Sequence, residues 1–406
     1  MEEAVTHHDR SIDHARVTIR KGRGWDRLPL IGGALAVIGL GASGMLASGN
    51  LKQFYFSYLT AFLYFLSLAL GALFFVLVQH AARAGWSVVV RRLAENVMGT
   101  LPLFIVLFFP VAAGMHDLFH WTHEEAVASD DLLRGKQPYL NEGFFYIRAV
   151  VYLSAWSLLS WWFRHQSLRQ DRSGDGALTR RMQTASAPAI LVYGLTVSFA
   201  AFDWIMSLDP HWYSTIFGVY YFSGAVVGLF ALLVLLTVGI DRAGLLDGAV
   251  TVEHFHDLGK LLFAFVAFWA YIAFSQYLLI WYANIPEETL WFLHRWEGQW
   301  REASVVLGLG HFVVPFFFLL PRTIKRSTPA LVLAALWMLA MHYLDLYWLV
   351  MPTLHRHGAH PALLDLTALL GVGGVFLAGL GWLLRRGALV PVKDPRLGES
   401  LSFENQ

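Results

Sequence analysis

Ten runs of mostly apolar residues follow one another along this chain of 406 residues. A membrane-spanning helix needs about 20 such residues, and each run is at least close to that length. Charged residues make up 15% of the chain, whereas soluble domains carry about 25%. We therefore predict an all-α integral membrane protein with ten transmembrane helices, at 28–47, 53–78, 94–114, 144–163, 187–208, 213–238, 258–283, 302–320, 329–350 and 363–384.

The two ends of the chain, 1–27 and 385–406, are polar and are predicted to be cytoplasmic tails around a membrane domain of residues 28–384. Lysine and arginine are more frequent on the cytoplasmic side of membrane proteins. With the amino terminus inside, 22 of these residues fall in inner segments and 6 in outer loops, leaving out Arg148 and Lys260 at span starts. The first 24 residues lack the apolar stretch of a signal peptide. We expect a multi-pass protein of the bacterial cytoplasmic membrane, with both termini cytoplasmic.

The chain contains no cysteine. This excludes iron–sulfur clusters held by thiolates, covalently attached c-type haem, disulfides and cysteine nucleophiles. The outer loops between spans three and four and between spans seven and eight are the longest, yet neither is long enough for a separate soluble domain. Any domain that carries electrons or handles nucleotides must therefore belong to another chain.

The stretch "FDWIMSLDPHWYSTIFGVYYFSG", residues 202–224, places polar groups inside an otherwise apolar region. Proline cannot continue a helix and disfavours helix at the residue before it, so Pro210 separates spans five and six. A tight outer hairpin is predicted there. Asp203 then lies a few residues below the outer end of span five.

A weak internal repeat is visible. Asp203 stands seven residues before Pro210 in span five, and Asp345 stands seven residues before Pro352 in span nine. Spans two and six contain the similar stretches "YFLSLALG" and "YYFSGAVVG". These matches predict two parallel four-helix bundles, spans two to five and six to nine, with spans one and ten at their flanks.

Ionisable groups inside a membrane are costly and often mark proton pathways. The candidates for a proton relay or a quinol site are Asp203, Glu302, His311, His342, Asp345 and Asp365 in the outer half, and Glu95 and Lys260 at the inner edge. His342 and Asp345 are three residues apart and share a helix face. Pro315 removes the usual hydrogen-bond donor for the His311 carbonyl. No catalytic residue and no metal ligand is assigned.

Each candidate also has a purely structural interpretation. Asp203 could bond nearby hydroxyl groups, His342 and Asp345 could satisfy each other, and His311 could be a packing residue. Glu95 and Lys260 could extend to the inner surface, as long charged side chains do. Glu302 stands beside Arg301 and could form a salt bridge with it.

The hairpin, followed by "HDLGKLLFAFVAFWAYIAFSQYLLIWYANIPEET" at 256–289, resembles the ActF subunits of alternative complex III. These belong to the NrfD/polysulfide-reductase-like membrane family, and the similarity runs from span one to span ten. The resemblance implies ten spans, eight of them in two four-helix bundles. It implies a quinone-binding or proton-conducting subunit, without a redox centre of its own, in a bacterial respiratory quinol:cytochrome c oxidoreductase. Asp203, His311, His342 and Asp345 would be buried groups of the bundles.

The resemblance also implies cofactors and partners. No cofactor would be bound covalently, menaquinone or ubiquinone would be the small ligand, and haem and iron–sulfur centres would lie on partner subunits. Those partners would be a homologous NrfD-like membrane subunit, a periplasmic iron–sulfur protein, multihaem c-type cytochromes and a terminal oxidase, surrounded by lipids and without nucleic acid. Whether a quinone binds this chain or its homologous neighbour stays open.

Three alternatives remain from the residues alone. His311 and His342 lie at similar depths and could ligate a b-type haem in a membrane anchor. A secondary transporter or channel is compatible with the broken eighth span. A structural scaffold is the third, in which Gly224-x-x-x-Gly228 brings helices close together and the glycine-rich first and tenth spans contact partners.

Overall fold

The computed structural model describes residues 12–22 and 24–405. Within these residues the chain is helical and has no β-strand. Ten helices are long and apolar enough to cross a membrane: α1 Trp25–Ala47, α2 Leu51–Ala81, α3 Val88–Ala113, α4 Glu142–Ser173, α5 Gly176–Leu208, α6 Phe217–Arg242, α7 Val252–Ala283, α8 Gln299–Leu319, α9 Thr328–Thr353 and α10 Leu363–Leu384. The predicted all-α fold with ten transmembrane helices is confirmed. Part of the predicted tail 1–27, namely residues 1–11 and 23, lies outside the described residues.

Helices α4 and α5 are longer than their apolar spans. The segment 164–186, predicted as a loop, is helical except for a turn at Gly174 and Asp175. Gly174 has a φ of 70°, which suits glycine at a helix end, and the Asp175 side chain accepts a hydrogen bond from the Ala177 amide. Hydropathy predicts the apolar length of a helix, and these two helices continue beyond it as a polar hairpin.

The helices form two groups around a central pair. In the first group α2 packs on α3 and α5, and α4 packs on α5; in the second, α6 packs on α7 and α9, with α8 against both of these. Helices α2 and α6 are the most buried spans and pack on each other. Their backbones approach so closely that a Cβ on Gly71 would fall 2.5 Å from the Ala225 carbonyl oxygen. These contacts match the two four-helix bundles expected from the repeat.

Helices α1 and α10 flank the bundles and pack along each other. A Cβ on Gly39 would lie 2.2 Å from the Gly371 nitrogen, and one on Gly374 would lie 2.2 Å from the Ala36 nitrogen. Small residues allow such close helix contacts in membranes. These glycines join α1 to α10, and contact of the two spans with partner subunits stays a prediction.

Both described tails lie on one side of the helices, which we call the terminal face. The Leu389 amide donates to the Val17 carbonyl over 2.7 Å. The carboxyl-terminal segment is packed rather than free, because Leu389 and Ser400 are buried and the Ser400 hydroxyl donates to the Trp86 carbonyl over 2.5 Å. We call the opposite side the far face.

The predicted hairpin between α5 and α6 is present on the far face. Helix α5 ends in a 3-10 turn, Met206–Leu208, and Pro210 follows before α6 begins at Phe217. His211 Nε2 lies 2.6 Å from a carboxylate oxygen of Asp130. The hairpin is thereby attached to the long loop between α3 and α4.

Candidate functional site

The eight candidate residues do not form one site. His311, His342 and Asp345 come together inside the second bundle. The other five lie apart from them, and they are Asp203 in the first bundle, Asp365 at the start of α10, Glu95 near the terminal face, and Glu302 and Lys260 with exposed side chains. The three converging residues are called the His–Asp cluster below.

The His–Asp cluster is compact and closed to solvent. One ring nitrogen of each histidine and one carboxylate oxygen of Asp345 all lie within 4.8 Å of one another. All three side chains are buried. His342 and Asp345 share a face of α9, as their spacing predicted, and His311 reaches them from α8, as its estimated depth allowed.

The helix around His311 is irregular. Gly308–Val313 is a π-helix, and Pro315 follows in the next turn. A proline removes a backbone donor, and π-helical turns are frequent at functional sites. The predicted disruption near His311 is confirmed, although the carbonyl that accepts a side-chain bond is that of Gly310, from Trp337 Nε1 over 2.7 Å.

Ser67 bonds one ring nitrogen of His342. The Ser67 hydroxyl lies 2.7 Å from His342 Nε2 and 2.6 Å from the Tyr64 carbonyl oxygen. When Ser67 gives its single hydrogen to that carbonyl, it accepts from Nε2–H, and the lone pair of His342 is then on Nδ1. Among the described residues, neither His342 Nδ1 nor either ring nitrogen of His311 has a hydrogen-bond partner.

Two glycines of α6 make room for the His342 ring. A Cβ on Gly224 would lie 3.1 Å from His342 Cε1, and one on Gly228 would lie 2.8 Å from His342 Cδ2. The Gly224-x-x-x-Gly228 motif was read as a helix-packing motif. In this fold it holds an imidazole between two helices.

Asp345 is bound by neutral donors. The Tyr220 hydroxyl donates to one carboxylate oxygen over 2.5 Å, and the Trp269 indole donates to the other over 3.1 Å. Trp269 also stacks on the His311 ring at a centroid distance of 3.8 Å. No lysine or arginine of the described residues forms a salt bridge with Asp345. Burying an unpaired charge is costly, and a proton shared within the cluster removes that cost.

Asp203 has a different environment. Arg148 donates to both of its carboxylate oxygens, over 2.7 and 2.9 Å, and the Tyr152 hydroxyl adds a bond of 2.9 Å. The guanidinium also covers the Tyr139 ring at 3.9 Å. This bidentate pair neutralises the aspartate, so the interpretation of Asp203 as a relay group is not supported by its contacts. The sequence predicts no role for Arg148, because an arginine at the start of a span can simply reach the membrane surface.

Glu95 does not extend to the surface. It is buried, with one carboxylate oxygen 3.2 Å from Arg91 and the other 2.8 Å from Arg92. Asp394 lies 2.5 Å from Arg91, and Asp171 lies 2.7 Å from Arg92. This ion-pair network joins α3, α4 and the carboxyl-terminal segment, and it explains Glu95 as a structural residue.

The remaining candidates lie at the edges of the bundles. Asp365 accepts bonds from the Ser57 hydroxyl over 2.5 Å and from the Ala362 amide over 2.8 Å, and so caps α10. Lys260 pairs with Asp257 at the terminal face. Glu302 is exposed at the start of α8. None of the three contacts the His–Asp cluster.

A cavity of about 690 Å³ opens beside the cluster, between α7 and α8. Tyr220 and Trp269, which bind Asp345, form part of its wall. Most of the other lining groups are aromatic or aliphatic, and the polar exceptions include Gln276, Ser304 and Arg295. One layer of side chains therefore separates the cavity from Asp345.

Arg295 lies at the far-face end of this cavity. Its side chain is buried, stacks on Trp291 at 3.4 Å and donates to the carbonyls of Trp291, Trp348 and Leu349. Burial lowers the pKa of Arg295 to about 9. It also lines a second, polar cavity of about 380 Å³ on the far face. A positive group thus stands between the aromatic cavity and the far-face surface.

No protein-family model matches the chain, and no curated protein matches it. The functional argument therefore depends on the site itself. The site consists of a buried His–Asp cluster, an adjacent aromatic cavity, and two side chains, Tyr220 and Trp269, that belong to both.

Proposed function

We propose that this chain is a membrane subunit of a bacterial respiratory quinol:cytochrome c oxidoreductase, related to the NrfD-like family. Its terminal face would be cytoplasmic, as the distribution of lysine and arginine indicates. The His–Asp cluster carries the proposal, because two imidazoles and a carboxylate buried together without a cation are suited to hold and pass protons. The chain would contribute a proton path and a quinone-headgroup site, and partner subunits would carry the electrons.

The cavity supports the quinone part of the proposal. Ligand pockets typically measure about 300–1,000 Å³ and combine apolar walls with a few polar groups, and this cavity fits that description. The Gln276 amide and the Arg295 guanidinium can donate hydrogen bonds to the oxygens of a quinone headgroup. The Tyr220 hydroxyl, whose hydrogen goes to Asp345, can accept one from a quinol hydroxyl. The hydrophobic tail of the quinone would leave between α7 and α8 toward lipid.

Quinol oxidation releases two protons and two electrons. In this proposal the electrons pass to haem and iron–sulfur centres of partner subunits, which reduce the acceptor. One of the two quinol protons would reach Asp345 through Tyr220, which lines the cavity, accepts it and passes its own hydroxyl hydrogen to the carboxylate. His311 and His342 then share that proton. The second proton would leave to water at the far face.

The packing of the cluster argues against a b-type haem. Asp345 lies within 4.8 Å of both histidines, and Trp269 covers His311 at 3.8 Å. A Cβ on Gly228 would already clash with His342 at 2.8 Å, and one on Gly224 would make a tight contact at 3.1 Å. A porphyrin between the two imidazoles would have to displace all of these groups.

Purification of the full-length tagged chain from its native membrane tests the proposal. We expect c-type haem to co-purify together with quinol:cytochrome c activity. Asp345→Asn should leave the assembly and its haem content intact but lower quinol turnover or its coupling to proton movement at least tenfold. Glu302→Gln is the matched control, since Glu302 is exposed and apart from the cluster, and it should retain wild-type rates. Wild-type turnover and coupling in Asp345→Asn would overturn the proton-relay function.

A further inference from the structure

The His–Asp cluster has a second chemical capacity. Two imidazole nitrogens and one carboxylate oxygen within 4.8 Å of one another form a donor set typical of divalent first-row metal ions. We propose that His311, His342 and Asp345 bind a divalent transition-metal ion, with Zn²⁺ as the best match. This inference depends on the geometry of the three side chains and not on the proposed respiratory function.

The hydrogen bonds around the cluster match those of metal sites. A metal-binding histidine usually donates its second N–H to a neighbouring oxygen, which fixes the ring. In the tautomer that carries Nε2–H, His342 does this toward Ser67 over 2.7 Å, and its Nδ1, which has no partner among the described residues, is then available as a ligand. Metal-bound carboxylates are hydrogen-bonded in turn, as Asp345 is by Tyr220 and Trp269. Each carboxylate oxygen has two lone pairs, so it can accept such a bond and still coordinate an ion.

The spacing requires only a small contraction. Zn²⁺ binds imidazole nitrogen and carboxylate oxygen at about 2.1 Å, so ligand atoms of a tetrahedral site lie about 3.4 Å apart. The distances between the ligand atoms of His311, His342 and Asp345, which are at most 4.8 Å, would have to shorten by at most about 1.4 Å. His311 is the member whose ring is not held by hydrogen bonds, because neither ring nitrogen has a partner among the described residues. The contraction would be a shift of this ring beneath Trp269.

Three protein ligands leave one coordination position open. Gly308 and Phe312, from the same π-helix as His311, line the aromatic cavity. The cavity therefore lies one layer of side chains from the cluster, and the fourth ligand would be a water molecule that enters from it past Tyr220 and Trp269. Metal binding needs the lone pairs that protons would otherwise occupy, so a bound ion and shared protons compete for the same three side chains.

Co²⁺ binding to the full-length chain in detergent tests the inference. After treatment with a chelator, the protein is titrated with Co²⁺, whose visible absorption bands report tetrahedral nitrogen and oxygen ligation, and Zn²⁺ is then added to displace it. We expect one tightly bound Co²⁺ per chain. Affinity should fall at least tenfold in His311→Gln, His342→Gln and the near-isosteric Asp345→Asn.

Exposed histidines are the main source of a false signal. The control variant is His116→Gln/His120→Gln/His123→Gln, which removes three exposed histidines of the far face and should bind as the wild type does. Zn²⁺ should also raise the unfolding temperature of the wild type and not that of Asp345→Asn. The inference is overturned if the wild type gives no Co²⁺ bands, if the bands persist in Asp345→Asn, or if they vanish in the control. The assay uses neither quinol nor partner subunits, so its failure is distinguishable from failure of the proposed function.

Discussion

Asp203 and Asp345 occupy matching positions in the two four-helix bundles. Each stands seven residues before a proline, on α5 and α9, and each is almost fully buried. Asp203 is held by the guanidinium of Arg148 through two hydrogen bonds. Asp345 is held by a tyrosine hydroxyl and an indole, with two histidines beside it.

The difference is the charge of one partner. A buried carboxylate paired with arginine stays ionised, because protonating it would leave a buried cation unpaired. A buried carboxylate among neutral donors and imidazoles has no such constraint. The first bundle therefore holds its aspartate in a fixed ion pair, while the aspartate of the second bundle is held by neutral donors, as the proposed proton and metal chemistry requires.

Replacing each aspartate by asparagine should distinguish the two environments. The loss of stability in Asp203→Asn is the largest that we expect. Asp203→Asn leaves Arg148 buried without a counter-ion, which costs roughly 3 kcal/mol of unfolding free energy. Asp345→Asn keeps the shape and leaves no cation unpaired. The Tyr220 hydroxyl must turn to accept from the new amide while Trp269 donates to its oxygen, so the loss should be smaller, about 1 kcal/mol. Denaturant unfolding of the full-length chain in detergent, followed by far-UV circular dichroism, measures both.

A double variant checks the cause of that loss. Asp203→Asn combined with Arg148→Gln removes the unpaired cation and should be more stable than Asp203→Asn alone, because the two residues are directly coupled. Equal losses in Asp203→Asn and Asp345→Asn would contradict the comparison. The comparison would also be contradicted if the stability loss of the double variant equalled the sum of the losses of Asp203→Asn and Arg148→Gln, each measured alone.

Sequence reasoning identified both aspartates and could not distinguish them. The matching proline spacing predicted their equivalent places in a repeat, and ten apolar runs predicted the ten helices. Arg148, however, is 55 residues from Asp203, on a neighbouring helix. Which faces of two helices meet depends on packing along the whole bundle, and the hydropathy of a nearly uniform apolar helix carries little information about its rotation.

The sequence predicted the part of the His–Asp cluster that depends on position along single helices, and not the part that depends on packing between helices. The depths of His311 and His342 followed from their distances to the span ends, and the shared face of His342 and Asp345 followed from helix periodicity. The contributions of Ser67 and Trp269 did not follow, because they come from α2 and α7. The aromatic cavity likewise results from the packing of several elements.

In the second bundle two glycines of α6 make room for the His342 imidazole, and substituting one of them tests this. Gly228→Ala would place a Cβ 2.8 Å from both His342 and Leu68, and such overpacking costs roughly 1–3 kcal/mol. Gly194→Ala, on α5 of the first bundle, meets nothing within 4 Å and should be neutral or stabilising by up to about 1 kcal/mol. The same unfolding measurement compares them. A loss in Gly194→Ala as large as that in Gly228→Ala would show that the cost is not specific to the imidazole site.

The smallest loss of stability is expected when the exposed pair of Asp130 and His211 is broken. This loss serves as a reference for the buried Asp203–Arg148 pair of the first bundle. The 2.6 Å separation of the exposed pair is as short as the Asp203–Arg148 contacts, but both of its side chains are open to water, which weakens such pairs. The hydrogen bond from His211 lowers the pKa of Asp130 below its usual 3.8. A lowered pKa means that the stabilisation is fully present above pH 3.8 and disappears as the pH falls through the lowered value.

Asp130→Asn should therefore be slightly less stable than the wild type at pH 5, and the difference should shrink as the pH falls below 3.8. Unfolding temperatures of both proteins across this range measure it. Judged by distance alone, this pair would contribute as much to stability as Asp203–Arg148. Because it is exposed, we expect breaking it to cost far less unfolding free energy. If Asp130→Asn destabilised the chain as much as Asp203→Asn does, or if the difference grew in acid, burial would not be what distinguishes the fixed aspartate of the first bundle.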